Sequence, residues 1–598
     1  MSTALTVRDL RIGIGQGINL VADINFSVQA GEVLALVGES GSGKTTIAMA
    51  LLAHTRAGAV IESGAVLTDG LDILSLSEAE LRHVRGNIIS LVAQNPAMAL
   101  NPLRTIGQHL HDVLKAHQPE LDVDSRSARI AEVMQDTGLP GDAAFLKRFP
   151  HQLSGGQQQR ILLGLAFVLR PRVIVLDEPT TALDVSSQAR ILVTIRTLCQ
   201  RYGTAAVYVS HDLAVVRQLA DHVMVLYAGR IAEIAPRASL FALPRHPYSH
   251  GLLEAIPDIA LRRAPSPIPG QAVGPAQRGA GCAFAPRCRH ADSICQAQAP
   301  RLRDVAPEHP AGVHQLACHH TALGLTLSQP QPSLATQQRD QSSLPPVLYL
   351  HEVSAHYGKQ PVLHGVSLSV SMGECLAIVG QSGSGKTTLA KIMAGLDIAA
   401  SGRINFNGHE LPMRAADRAP AQRHKIQYIF QNPYQALNPR HTVGETLATA
   451  ARHFFKQDAG DIAQQVNAAL HKVALPARVA TQYPRELSGG ELQRIAIARA
   501  LICQPSLLIC DEITSALDVS VQANILGLLQ SLQQQGLAII FVTHNLGVVR
   551  AIADRVLVLN HGITVESGLV DALLDQPVQE YTQQLIADSP SLFSDLAA

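Results

Sequence analysis

The sequence predicts an α/β protein laid down twice in tandem. Three observations carry this. Nine residues, Gly38-Glu39-Ser40-Gly41-Ser42-Gly43-Lys44-Thr45-Thr46, follow an apolar run from Val33 to Val37 that reads as a short buried strand, and precede Ile47 to Leu52, which reads as the start of a helix. Nearly the same nine recur as Gly380-Gln381-Ser382-Gly383-Ser384-Gly385-Lys386-Thr387-Thr388. The elements after each copy then keep their spacing: Ser154 to Asp177 is 23 residues and so is Ser488 to Asp511, while Asp177 to His211 is 34 and Asp511 to His544 is 33. Spacing kept this closely is the mark of a duplicated domain.

Strand, Gly-rich turn, Lys-Thr and helix form the pattern G-x-x-x-x-G-K-[ST]. The glycines let successive backbone N–H groups curl around phosphate oxygens where a Cβ would block the approach. A helix N-terminus adds partial positive charge. Lys44 and Lys386 are placed to reach β- and γ-phosphates, and the Thr45 and Thr387 hydroxyls to sit on Mg²⁺. Before the first loop, Leu5 to Ile12 and Ile18 to Val28 read as strands. Gly13, Gly15 and Gly17 mimic a dinucleotide fingerprint, but no helix follows them, so a hairpin turn is expected.

The whole chain sets bounds. At 598 residues it is too long for one core. It is 47% hydrophobic and 16% charged, the composition of a folded protein. Formal net charge is zero and no basic cluster appears, which argues against a nucleic-acid partner. Met1 to Leu5 lacks the regions of a signal peptide, and the longest apolar stretches, such as Ile161 to Leu169, are about half a membrane span. A cytoplasmic chain is expected, with any membrane role exerted through partners. Cys199, Cys375, Cys503 and Cys510 lie in apolar segments and read as small core residues.

In the first half, Gln94 stands at a strand end before Asn95-Pro96, 50 residues past Lys44. Leu153-Ser154-Gly155-Gly156-Gln157 precedes a helix read over Gln158 to Leu169; Ser154 is either a plain N-cap or part of a second anion site made with the Gly155 and Gly156 amides. Val173 to Leu176 is a buried strand ending in Asp177-Glu178. Two carboxylates at the C-terminal edge of such a strand sit where open α/β sheets bind ligands. Asp177 suits Mg²⁺ held through water, and Glu178 suits polarising an attacking water. Asp184 follows, then a strand from Ala205 to Val209 that ends at His211. The second half gives Gln431, Ser488-Gly489-Gly490, Asp511-Glu512, Asp518 and His544 in the same order.

With these motifs in view the sequence resembles the ATP-binding-cassette family across roughly residues 1–255 and 346–598. The resemblance implies two P-loop cassettes, each with a helical signature subdomain. It implies Walker A loops at Lys44 and Lys386, Q-loops at Gln94 and Gln431 that also reach Mg²⁺, and signatures at Ser154 and Ser488. Walker B pairs are implied at Asp177/Glu178 and Asp511/Glu512, D-loops at Asp184 and Asp518, and switch histidines at His211 and His544. It implies ATP and Mg²⁺ as cofactors, and two sites made head to tail, one from Lys44 with Ser488 and one from Lys386 with Ser154. An adenine-stacking aromatic is expected at Tyr357; the matching stretch Arg11-Ile12-Gly13-Ile14 has none. Glu491 stands where the family has Gln, and Ile513 where the first half has Pro179. Both sites are expected to hydrolyse ATP, with Glu178 and Glu512 orienting water and His211 and His544 on the γ-phosphate.

Residues 256–345 match neither cassette. Pro257, Pro265, Pro267, Pro269 and Pro275 make a stiff, irregular entry, and 328–345 reads as a flexible linker rich in Gln, Pro and Ser. Cys282, Cys288, Cys295 and Cys318 between them suit an iron–sulfur cluster, a tetrahedral Zn²⁺ or no metal, and their spacing does not choose. Gly281-Cys282-Ala283-Phe284-Ala285-Pro286-Arg287-Cys288 and His246-Pro247-Tyr248 resemble the C-terminal extension of oligopeptide/dipeptide importer ATPases, here over 256–327. That resemblance implies a [4Fe–4S] cluster on the four cysteines. Gln576 to Thr582 resembles a decayed second copy of the His-Pro-Tyr element.

The implied function is the ATPase subunit of a bacterial importer, peripheral on the cytoplasmic face of the inner membrane. It would act with two transmembrane permease subunits and a periplasmic or extracellular solute-binding protein. Peptides are the expected solute, with nickel, glutathione or metal chelates as alternatives. A soluble twin-cassette translation factor acting on ribosomes is the rival from another class; such proteins join their cassettes through a long charged helix, unlike the Pro/Cys-rich segment here.

Overall fold

The computed structural model describes residues 2–15, 17–181, 183–305, 314–325, 327, 346–396, 400–455, 458–515 and 517–593; the linker read over 328–345 lies outside them. The chain divides into two compact units. One comprises Met1–Leu183, Ser187–Ala255 and Ile268–Ser328; the other comprises Asp184–Ser186, Ile256–Pro267 and Gln329–Ala598.

In the first unit the main sheet runs, in spatial order, Ile89–Val92, Val173–Asp177, Ala205–Val209, Val33–Val37, His222–Tyr227, Arg230–Pro236, Gln315–Leu316 and Arg303–Asp304. The first five strands are parallel and the rest antiparallel. Val33–Val37 and Ala205–Val209 are buried at every residue, as near-continuous Val/Ile/Leu/Ala runs covered on both faces must be. The last two strands come from the segment after the first cassette, so the cysteine-bearing extension continues the sheet of this unit. A second, antiparallel sheet pairs Thr3–Ile14 with Ile18–Gln29 and with Ala59–Thr68. The hairpin expected at Gly13 to Gly17 closes with Ile14 opposite Ile18. Ile106–His117, Val123–Asp136 and Gly155–Phe167 form the helical part.

The second unit repeats this plan. Its parallel strands stand in the order Ile426–Ile429, Leu507–Asp511, Ala538–Val542, Cys375–Val379 and Arg555–Asn560, with Ile563–Leu569 antiparallel at the edge. Val443–Phe454, Ala459–Lys472 and Gly489–Leu501 are the helices beside it. The proline-bearing entry segment is ordered by this unit: Ile259 joins its apolar core, Arg262 pairs with Asp571 at 2.6 Å, and the Asp258 carboxylate accepts from the Leu592 N–H at 2.6 Å. Cys199, Cys375, Cys503 and Cys510 are all buried. Burial pushes the Cys199 thiol up to about 12 and the Cys503 thiol up to about 11, as inert core residues require.

Two helix starts differ from the sequence reading. The helix expected from Ile47 begins at Lys44, because Gly43 takes φ 101° and turns the chain directly into the helix; Gly385 does the same at φ 102°. The helix expected from Gln158 begins at Gly155, since Ser154 is its N-cap and both glycines fall in the first turn.

Candidate nucleotide sites

Each Gly-rich loop runs from a buried strand into a helix. A Cβ on Gly38 would lie 2.2 Å from the Leu226 carbonyl oxygen, and one on Gly380 2.1 Å from that of Leu559, so only glycine allows the loop to pass the sheet edge there. In the first loop Lys44 Nζ donates to the Gly38 and Glu39 carbonyls at 2.6 and 3.0 Å. In the second, Lys386 Nζ donates to the Gly380 and Gln381 carbonyls, both at 2.8 Å. Both ammonium groups are thus curled into their own loops. Burial lowers the Lys386 pKa, with the Glu512 and Asp511 carboxylates acting in the opposite sense. The Ser384 hydroxyl is buried in its loop without a hydrogen-bond partner among the described residues. A buried orphan hydroxyl beside a Lys and a helix N-terminus is the donor set that a polyphosphate satisfies.

The acid pairs stand at the strand ends beside these loops. Thr45 Oγ1 donates to Asp177 at 3.3 Å and Thr387 Oγ1 to Asp511 at 3.1 Å, so the two groups expected to share Mg²⁺ are adjacent in each unit. Burial raises the pKa of both aspartates, and the neighbouring Glu178 or Glu512 charge adds to it. Glu178 and Glu512 both take φ 48°, a left-handed conformation that costs a non-glycine residue about 1–3 kcal/mol. Their N–H groups are held by the Val209 and Val542 carbonyls, which fixes the strained turn.

Gln, Glu and His converge there. Gln94 Nε2 donates to Glu178 at 3.0 Å and Gln431 Nε2 to Glu512 at 2.7 Å. His211 Nδ1 lies 3.1 Å from Glu178, and His544 Nδ1 3.4 Å from Glu512. Burial raises the pKa of each glutamate, but the bond and charge of the His, with the nearby Lys, more than offset it, and both carboxylates sit below their ordinary range. A carboxylate that stays ionised and is oriented by an amide and an imidazole can accept a proton from water. In the first unit Gln94 and His211 lie 84 and 33 positions from Glu178, and the sheet edge brings them together.

Ser154 and Ser488 each cap a helix. Ser154 Oγ accepts from the Gln157 N–H, and Ser488 Oγ from the Glu491 N–H, both at 3.3 Å. The two differ in one bond: the Ser488 hydroxyl also donates to the Glu491 carboxylate at 2.8 Å. Asp184 and Asp518 immediately precede the helices Val185–Tyr202 and Val519–Gln534. Tyr357 ends a strand with 52% of its surface exposed, open to stacking, whereas Ile14 ends the matching strand of the first unit.

Some residues of the sites have no motif in the sequence. Tyr428 donates its hydroxyl to Asp511 at 2.5 Å, and Thr181 donates to Glu178 at 3.1 Å. The His-Pro-Tyr element also reaches a loop: the Glu39 N–H donates to the Tyr248 hydroxyl at 2.8 Å. Its decayed copy does the same, with the Gln381 N–H donating to the Tyr581 hydroxyl at 3.0 Å. Beneath each tyrosine a glutamate accepts two backbone N–H groups, Glu233 those of Arg245 and His246, Glu566 those of Val578 and Gln579.

The four extension cysteines belong to the first unit. Burial, and then the nearness of Cys282, Cys288 and Cys295, pushes the Cys318 thiol up to about 11. The Cys282 N–H donates to the Cys295 carbonyl at 2.8 Å. Among the described residues, the set of metal-ligand atoms lying within 4.8 Å of one another is Asp292, Cys295 and His320.

The ABC transporter family pattern matches residues 21–181 and again 363–515. The chain belongs to the ABC transporter family. Its cassettes are ATPases. The pattern described as "Oligopeptide/dipeptide transporter, C-terminal region" matches residues 232–295, which hold Glu233, the His-Pro-Tyr element and three of the four cysteines. Among similar ABC proteins, the oligopeptide transport ATP-binding protein OppD of Mycobacterium tuberculosis is 36% identical, covering 99% of both chains. The peptidoglycan transport ATP-binding protein YejF of Agrobacterium fabrum is 35% identical over 98% of this chain and 96% of its own. The glutathione import ATP-binding protein GsiA of Escherichia coli is 34% identical over 98% of this chain and 89% of its own.

Proposed function

We propose that this chain is the energising subunit of a bacterial importer for peptides, supplying both cassettes in one polypeptide. The observation that carries the reading is the segment matched at 232–295: its Tyr248 seats on the first phosphate loop, so the importer-type element is built into the ATP site. The names of the relatives, oligopeptide, peptidoglycan and glutathione transport proteins, support a peptide-like solute. No helix among the described residues is long and apolar enough to cross a membrane, so solute passage falls to two permease subunits, with a solute-binding protein delivering to them. The chain then works at the cytoplasmic face of the inner membrane.

In this reading ATP-Mg²⁺ binds at Lys44 with Ser488 and at Lys386 with Ser154. The Ser-Gly-Gly helix start of one cassette faces the γ-phosphate on the other, and hydrolysis removes the charge that holds them. Asp177 and Asp511 hold the metal; Glu178 and Glu512 take the proton from water. Cys282, Cys288, Cys295 and Cys318 would hold an iron–sulfur cluster. A single Zn²⁺ at about 2.3 Å from each sulfur needs the sulfurs roughly 3.8 Å apart. The close set among the described residues includes just one of them, with Asp292 and His320, and Zn²⁺ is the alternative reading. Its contribution would be structural, tying a loop of low apolar content to the unit.

The test is capture from membranes. Tagged chain is expected to bring down two polytopic membrane proteins, with ATP turnover rising when the solute-binding protein and a peptide are added. Recovery of ribosomes without membrane proteins contradicts it.

A further inference from the structure

The second residue of each Gly-rich loop differs in charge. Glu39 brings a carboxylate into a loop that must hold phosphate, and Gln381 stands at the matching place. The Glu39 carboxylate is met by a residue 248 positions away. Arg287 Nη1 donates to Glu39 Oε2 at 2.6 Å and Nη2 to Oε1 at 3.0 Å, with side chains only 3% and 9% exposed. Arg287 Nε donates to the Pro269 carbonyl at 2.8 Å, and its guanidinium lies within 6 Å of the Tyr227 and Phe284 ring centres. Arg287 sits between Cys282 and Cys288 in sequence and directly precedes the latter.

We propose that Arg287 is a positioning residue for the first ATP site: it neutralises Glu39, fixes the phosphate loop through it, and couples that site, but not the second, to the cysteine-bearing extension. This rests on the assignment of Lys44 to an ATP site. Glu39 is held at three points: its N–H by Tyr248, its carbonyl by Lys44 and its carboxylate by Arg287. A parallel two-bond fork fixes both the place and the plane of the carboxylate. Shielded from water, neither charge has another partner of equal strength among the described residues, so movement of the 281–288 segment is felt in the loop. The second loop keeps the first two contacts, through Tyr581 and Lys386, and its neutral Gln381 needs no counter-charge. Coupling of this kind is reciprocal: if the extension sets the loop, nucleotide in the loop must steady the extension.

The test uses full-length protein. ATP affinity is resolved into two sites with Lys44→Ala and Lys386→Ala, and hydrogen exchange is followed over residues 281–291 with and without ATP-Mg²⁺. Arg287→Gln strands a buried carboxylate beside the phosphates and is expected to weaken the first site about tenfold, leaving the second within twofold. Glu39→Gln/Arg287→Gln, which copies the second loop, is expected to restore first-site affinity. ATP should slow exchange over 281–291 in the wild type and not in the double variant. Unchanged first-site affinity in Arg287→Gln, or a double variant no better than the single, overturns the proposal. Should Arg287→Gln not fold, the double variant alone decides: lost protection at near-normal affinity supports the coupling, retained protection refutes it. Failure of the ATP-site assignment shows differently, as wild-type binding that Lys44→Ala leaves intact.

Discussion

Tyr428 donates its hydroxyl to the Asp511 carboxylate at 2.5 Å, and the first unit has Leu91 at the matching strand position. Burial raises the phenol pKa, so Tyr428 remains a donor throughout the working pH range. The two strand-end aspartates therefore differ: among the described residues Asp511 accepts from a tyrosine hydroxyl and Asp177 does not. Tyr428→Phe is expected to lower the stability of the second unit by about 1.5–3 kcal/mol, the usual worth of a hydrogen bond to a charged group. Removing that bond also lets the Asp511 pKa rise further, so half-saturation by Mg²⁺ should move to higher concentration in mildly acidic buffer. Denaturant unfolding and Mg²⁺ titration of turnover check both.

Ser488 spends its hydroxyl proton on Glu491, whereas Ser154 has a neutral Gln157 beside it. In the proposed pairing Ser488 faces the phosphates held at Lys44, and the Glu491 charge opposes them. Glu491→Gln is expected to tighten ATP binding at the Lys44 site severalfold, on the scale of about 0.3–1 kcal/mol for a charge at a helix N-terminus. Fluorescent-nucleotide titration in a Lys386→Ala background reads it.

His246 is buried, and burial holds its pKa down to about 4, with Glu233 pulling the other way. It is neutral when folded and titrates near 6.5 when unfolded. The unfolded chain therefore binds more protons between these values, and stability falls as pH drops through that window. From pH 6.5 to 5 the expected loss is about 2 kcal/mol. Glu233, held low by its hydrogen bonds, including that with His314, begins to cost only below its own unfolded value near 4.5. His246→Gln, the residue the second copy has at Gln579, should flatten the acid limb between pH 6.5 and 5. Chemical denaturation at several pH values tests it.

The motif order was legible in the sequence because its chemistry sits at strand ends and helix starts, where neighbouring residues announce the geometry. Ser-Gly-Gly before an amphipathic helix, or Asp-Glu after four apolar residues, carries its own context. The decayed copy at Gln576 to Thr582 was legible for the same reason, and Tyr581 lands on Gln381 as Tyr248 lands on Glu39. Tyr428 was not: inside a strand an aromatic reads as core, and only the parallel pairing with Leu507–Asp511 puts its hydroxyl on a carboxylate. Nor was Arg287, since a pair separated by 248 positions leaves no periodic trace. The helices start at Lys44 and Gly155, three residues before the sequence pattern places them, because glycines that look like loop serve here as a left-handed cap and a first helical turn.

ATP binding and steady-state turnover of the Glu178→Gln/Glu512→Gln variant together test the assignment of water activation at both sheet edges. The amide keeps the shape that Gln94 and Gln431 address and removes the proton acceptor. Binding within about threefold of wild type with turnover lower by at least about a hundredfold is the predicted result. Full turnover at normal binding would contradict it.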